Sequence, residues 1–117
     1  MKLFVYGTLK RGYYNHKSLM KGAKYLGDAK LDGYCIFNLG SYPGIMPKPG
    51  FFVWGELFEI TDDMLDPLDR LEGHPTLYKR TAVSIGNMGD AWVYVYQNKH
   101  GFSRPIIETG VWEGGKQ

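Results

Sequence analysis

The chain has 117 residues, 44% of them hydrophobic, including 9 Tyr, 6 Phe and 3 Trp. That is enough for one domain over residues 1–117 with one core. The net charge of +2 comes without any recognisable binding module, which argues against nucleic acid as a partner. No apolar run approaches the ~18 residues of a membrane span, and the run after Lys2 stops at Gly7, short of a signal-peptide core of ~7–15 residues. The expectation is a soluble, cytoplasmic protein. Cys35 is the single cysteine, so no internal disulfide can form. Set between Tyr34 and Ile36-Phe37 with no neighbouring His or basic cluster, it reads as a small buried hydrophobe rather than a reactive thiol.

Sixteen glycines and six prolines predict short strands and many turns. Lys2–Tyr6 is the first strand. Asn15 is placed to cap a short helix running to about Lys21. Strands are expected at Lys24–Leu31 and Tyr34–Leu39, with Asp32-Gly33 as a hairpin turn between them. Gly40 to Gly50 reads as a loop. Phe52–Ile60 is a strand, and Gly55 within it suggests a bulge. Thr61 caps a helical stretch with Asp62 and Asp63 in its first turn. Pro67 is expected to prevent one regular helix, with Asp66 re-capping a second turn. Gly73 and Pro75 end it. Tyr78–Ile85 and Ala91–Tyr96 are two more strands joined by Gly86–Asp90, and the tail carries Trp112 and three glycines. The pattern fits an α+β fold, a small mixed β-barrel with peripheral short helices.

Two segments carry chemistry. The first is Tyr6-Gly7-Thr8-Leu9-Lys10-Arg11-Gly12, a strand running into a glycine loop. Glycine lets main-chain N–H groups converge on an anion or an amide without a Cβ in the way. Gly7 to Gly12 fits half of a P-loop, but Tyr13-Tyr14 follow where Lys and Ser/Thr are required, so a nucleotide site is rejected. The basic residues of positions 1–30, from Lys2 to Lys30, are either a solvated face or a positive field drawing a small anion to this loop.

The second is the helical stretch. Met64, Leu65, Leu68 and Leu71 form a core-facing stripe. Glu72 follows Leu68 by four residues and falls on or beside that stripe. A carboxyl there would have its pKa raised by burial and by the negative end of the helix, which suits general acid–base work. The alternative is an exposed glutamate beside a Gly73 cap. His16, His74 and His100 have no metal spacing, and His74 reads as a turn residue or a neighbour of Glu72. Ser18 and Ser41 have no nucleophile context. Tyr42 and Tyr78 are either pocket residues or packing ones.

The loop followed by Asn15-His16, together with Tyr42-Pro43, Gly55-Glu56-Leu57-Phe58-Glu59-Ile60, and Leu68-Asp69-Arg70-Leu71-Glu72-Gly73 with Tyr78-Lys79-Arg80, resembles the γ-glutamylcyclotransferase-like family. It is most like the γ-glutamylamine cyclotransferase and AIG2-like branch, over about Leu3 to Tyr96. The resemblance implies a compact mixed barrel with a cavity at one end and release of 5-oxoproline from γ-glutamyl compounds. It makes Glu72 the catalytic acid/base and Tyr6, Gly7, Thr8 and Leu9 the substrate-binding loop. The implied partner is a small γ-glutamyl substrate, and no metal or organic cofactor is implied. Thr8, where glutathione-pathway relatives usually carry serine, points to γ-glutamyl-amines or other conjugates rather than glutathione. A non-catalytic metabolite-binding protein is the alternative from another class, and a hydrolase or acyltransferase acting on γ-glutamyl conjugates is a third.

Overall fold

Leu3, Phe4 and Val5 show no apolar–polar alternation because both faces of their strand are covered. In the computed structural model this strand, β1 (Lys2–Val5), is the middle of a five-stranded sheet. The other elements are α1 (His16–Leu19), β2 (Lys24–Asn38), β3 (Pro43–Glu59), α2 (Asp62–Glu72), β4 (Tyr78–Ser84) and β5 (Asp90–Tyr96). The sheet order is β2-β3-β1-β5-β4. β1 runs antiparallel to β3 and parallel to β5. Residues 1–114 are described, except the side chains of His100 and Phe102; Gly115, the last of the three tail glycines, lies outside them. One face of the sheet packs Phe4, Tyr6, Val53, Leu57, Val93 and Trp112. The other packs Leu3, Val5, Phe58, Leu68, Tyr78 and Tyr94, with α2 against it.

The α+β class and the two helices are as expected, but the sheet does not close into a barrel. Among the described residues β2 pairs only with β3, and β4 only with β5. The outer edge of β2 is met instead by the C-terminal segment. Ile106 bridges Phe37, and the Ile107 amide donates to the Ile36 carbonyl at 2.8 Å. Backbone groups bonded in this way are not free for a closing strand.

Four local expectations are corrected. Asp32-Gly33 is not a hairpin turn: β2 runs through it, and Gly33 (φ 83°) marks a register slip between Asp32 and Tyr34. The expected loop from Gly40 to Gly50 is mostly strand, because Pro43–Pro47 pair with Tyr34–Asn38. The true turn between β2 and β3 spans residues 39–42. Gly55 is regularly paired with Ala29, and the irregularity on this ladder is at Tyr25/Gly27. The reason for glycine at 55 is space, since a Cβ there would lie 2.3 Å from the Val5 carbonyl oxygen. Finally, α2 continues through Pro67 as one helix. Proline removes one hydrogen bond there, but burial of Leu68 on the very next residue holds the helix against the sheet.

Candidate active site

The end of β1 opens into the loop Gly7–Asn15, which is held by hydrogen bonds to its own carbonyls. The Lys10 amide donates to the Gly7 carbonyl (3.1 Å), and the Asn15 amide donates to the Thr8 carbonyl (3.0 Å). The Asn15 side chain donates to the Thr8 hydroxyl at 2.9 Å instead of capping α1. His16 Nδ1 lies 2.8 Å from the Leu9 carbonyl oxygen, which can only accept, so Nδ1 carries a proton. Among the described residues the amides of Gly7, Thr8 and Leu9 find no acceptor. Three consecutive donors are therefore left for something outside the chain.

The residues that carry these amides border a cavity of about 240 Å³. Tyr6, Gly7, Thr8 and Leu9 line it from the loop, Tyr42 and Pro43 from the start of β3, Glu72 from the end of α2, and Tyr78 and Tyr94 from β4 and β5. Gly7 is set tightly against the opposite wall, where a Cβ would lie 2.8 Å from the Pro43 ring. All five residues that the sequence singled out, Tyr6 to Leu9 and Glu72, border this one cavity.

Glu72 is the last residue of α2, and Gly73 follows it in the left-handed conformation (φ 63°) as the C-cap. The His74 amide closes the turn onto the Asp69 carbonyl at 2.9 Å. Glu72 is half-buried and lines the cavity. Among the described residues no donor hydrogen-bonds its carboxyl. Burial alone pushes its pKa from 4.5 up to about 7.

Asp69, one turn earlier on the same helix, has the opposite environment. Arg80 Nε and Nη2 donate to its two oxygens at 2.9 and 3.2 Å, and the Tyr94 hydroxyl donates at 2.7 Å. Burial works against the charge of Asp69, but these hydrogen bonds outweigh it and hold the pKa below 3.8. Two carboxyls pushed apart in this way mark different tasks: Asp69 anchors the helix to β4 and β5, and Glu72 is poised to exchange a proton near neutrality.

The tyrosine wall does not compete for that task. The Tyr6 hydroxyl donates to the Tyr94 carbonyl and the Tyr78 hydroxyl to the Pro43 carbonyl, both at 2.6 Å, while that of Tyr94 is held by Asp69. Burial raises the pKa of all three above the usual phenol value, and the Glu72 charge adds to the rise. Their protons are committed elsewhere.

None of the basic residues of positions 1–30 lines the cavity. Lys10 is buried and donates to the Trp112 carbonyl at 2.8 Å, over the Tyr13 ring. Arg11 stacks on Tyr25 and pairs with Glu56. His74 does not line the cavity either; its Nδ1 accepts the Arg80 amide at 2.9 Å. Cys35 is buried as expected. Among the described residues no His, Cys, Asp and Glu cluster could hold a metal ion, and no helix is long and apolar enough to cross a membrane. Tyr94 escapes sequence reasoning, which reads Asn15 as a helix cap rather than as the partner of Thr8, and Arg80 only as part of the Tyr78-Lys79-Arg80 motif and not as the partner of Asp69. Tyr94 lies on a strand whose consecutive residues are buried on both faces, so no alternation singles it out.

Open-sheet α+β architecture with a half-buried glutamate facing a glycine loop defines a class that comparison with known proteins identifies. Residues 3–114 match the family described as Gamma-glutamyl cyclotransferase, AIG2-like, and the chain belongs to that family. It is 38% identical to the Gamma-glutamylcyclotransferase family protein YtfP of Escherichia coli, over 96% of both chains. The YtfP solution structure superposes with a TM-score of 0.76 over 96% of each chain. The rat protein named Gamma-glutamylaminecyclotransferase is 35% identical over 92 residues, 71% of this chain and 62% of that protein. The crystal structure of a mouse AIG2-like protein gives a TM-score of 0.80 at 27% identity, covering 96% of this chain and 87% of that one. The family and the names of these relatives indicate γ-glutamylcyclotransferase activity.

Proposed function

We propose that this protein releases 5-oxoproline from a γ-glutamyl-amine or related γ-glutamyl conjugate, with Glu72 as the acid/base. The observation that carries the reading is the unpaired Glu72 carboxyl on the same cavity as the loop residues whose three amides are unengaged, with burial raising its pKa to about 7. The amides of Gly7, Thr8 and Leu9 hold the substrate α-carboxylate and polarise the γ-carbonyl. Ionised Glu72 takes one proton from the α-ammonium. The freed amine attacks the γ-carbon, the new C–N bond closes a five-membered ring, and the loop amides stabilise the oxyanion. The ring nitrogen sheds a second proton as the old amide C–N bond breaks. The leaving nitrogen gains both protons, one through Glu72, and departs as an ammonium. Holding the glutamyl chain curled makes the attack intramolecular, where effective molarities reach ~10⁵–10⁸ M.

The test is mass-spectrometric detection of 5-oxoproline from a panel of γ-glutamyl amides and γ-glutamyl amino acids. Glu72→Gln keeps the shape and removes the base, and its turnover is expected to fall ~10²–10⁴-fold. Turnover equal to wild type would overturn the assignment, and free glutamate as product would replace cyclisation with hydrolysis.

A further inference from the structure

We propose that Trp112 and Lys10 are positioning residues for the reaction: through them the C-terminal segment clamps the substrate loop to the turn that leads into the facing wall of the cavity. The kinetic part of this inference rests on the cyclotransferase reading above. Neither residue lines the cavity, and the reaction steps use neither. Both are buried, Trp112 at 2% and Lys10 at 6% exposed. A lysine is seldom buried this far unless its ammonium is engaged. Lys10 Nζ donates to the Trp112 carbonyl at 2.8 Å, and the Tyr13 hydroxyl donates to the same oxygen at 3.2 Å. The indole packs beside the Tyr13 ring, with centres 5.8 Å apart. Its Nε1 donates to Asn38 Oδ1 at 3.0 Å.

These bonds join the two walls of the cavity. Lys10 directly follows Leu9, and its own amide is bonded to the Gly7 carbonyl, so a shift of Lys10 carries the loop amides with it. Asn38 ends β2 and pairs with Pro43, and its Oδ1 also accepts the Gly40 amide at 3.2 Å. It thereby fixes the turn leading to Tyr42 and Pro43, which line the cavity. The segment before Trp112 is firmly seated. The Ile107 amide donates to Ile36 on β2, and the Gly110 carbonyl accepts the Trp54 amide of β3, both at 2.8 Å. The loop is also tied to β3 by the Arg11 amide on Glu56 Oε1, but that bond is exposed to solvent. The Lys10 bond is buried and charge-assisted, so water competes little for it. The clamp therefore sets the spacing between the Gly7–Leu9 amides and the Tyr42–Pro43 wall. Oxyanion donors work over a narrow range of ~2.7–3.1 Å, so this spacing matters more to turnover than to substrate binding.

The experiment cuts each arm of the clamp singly and then both together. Trp112→Phe keeps an aromatic ring and removes the Nε1 donor; Lys10→Met keeps the chain and removes the ammonium. The substrate is whichever member of the γ-glutamyl panel the wild type turns over fastest. Each single variant is expected to lose ~10-fold in kcat, per folded molecule as counted by urea unfolding, with KM changed less than ~3-fold. Cutting one arm already disconnects the walls, so the double variant should lose about as much as either single one. Wild-type kcat in either single variant, or losses that multiply in the double variant, would overturn the inference. Ile85→Val, in the same core cluster as Trp112 but outside the cavity lining, should keep the wild-type kcat; an equal loss there would reduce the clamp to general core stability and overturn it. Hydrogen exchange of the Lys10, Tyr13 and Asn15 amides, which close the loop, needs no substrate. It should quicken ~10-fold in both single variants and stay unchanged in Ile85→Val. If the wild type releases no 5-oxoproline from any member of the panel but exchange quickens in this way, the cyclotransferase reading fails and the clamp stands. Unchanged exchange in either single variant overturns the clamp whatever the kinetics.

Discussion

Glu72→Gln tests the raised pKa through stability, independently of any substrate. Burial favours the protonated carboxyl in the folded state, raising its pKa from 4.5 to about 7. Between these values the folded protein binds more protons than the unfolded chain, so the Glu72 contribution falls as pH rises through that window. At ~1.4 kcal/mol per pH unit, the full rise corresponds to ~3 kcal/mol. Glutamine imitates the neutral acid at every pH. Below about pH 4.5 the variant and wild type are therefore expected to be close in stability. By pH 8 the variant should be the more stable by ~3 kcal/mol, the whole gap opening between those limits. Urea unfolding of both proteins at pH steps from 4.5 to 8.5 reads this directly, and all other titrating groups cancel in the difference. A constant difference across the range, or a variant less stable at pH 8, would refute the argument that desolvation governs this carboxyl. The same titration should appear in the enzyme: kcat/KM rises with pH through a limb near 7 as Glu72 ionises, and Glu72→Gln loses that limb.

Other perturbations test the supports of the site. Gly7→Ala drives a Cβ to within 2.8 Å of the Pro43 ring. Because that ring cannot swing aside, the loop must shift, and a displacement near 1 Å is expected to lower kcat/KM by ~10²-fold; a wild-type value would show that the loop position is not critical. Gly55→Ala meets the Val5 carbonyl at 2.3 Å, a backbone atom in the central strand, and should lower the urea-derived stability by ~3 kcal/mol or more. Asp69→Asn removes the charge that holds Arg80 and Tyr94. With Arg80 and Asp69 each about four-fifths buried (20% and 19% exposed), the expected loss at pH 7 is ~1–3 kcal/mol. Since the pKa of Asp69 lies below 3.8, its contribution is full above that value and is lost as pH falls through the folded-state pKa. The variant and wild type should therefore converge in strongly acid urea titrations.

Sequence by itself determined much of the local structure. The unbroken apolar run Leu3-Phe4-Val5 marked the central strand, because a segment covered on both faces has no polar side to show. The spacing of Leu68 and Glu72, followed by Gly73, put a carboxyl on the buried side of a helix end, because four residues make about one helical turn. Both signals are local. The β2–β3 pairing was misread for the complementary reason. Gly33 and the Gly/Pro-rich stretch before Gly50 are turn signals taken alone, yet long-range pairing of Tyr34–Asn38 with Pro43–Pro47 overrides them. The open sheet likewise depends on where the C-terminal segment meets β2, a contact between distant parts of the chain. Only the tertiary structure decided that Asp69, three residues before Glu72 on the same helix, is paired while Glu72 is not. Arg80 and Tyr94 reach Asp69 from two other strands, while Glu72 is left unpaired against a tyrosine wall. A pKa is set by what surrounds a group, and those surroundings come from distant parts of the chain.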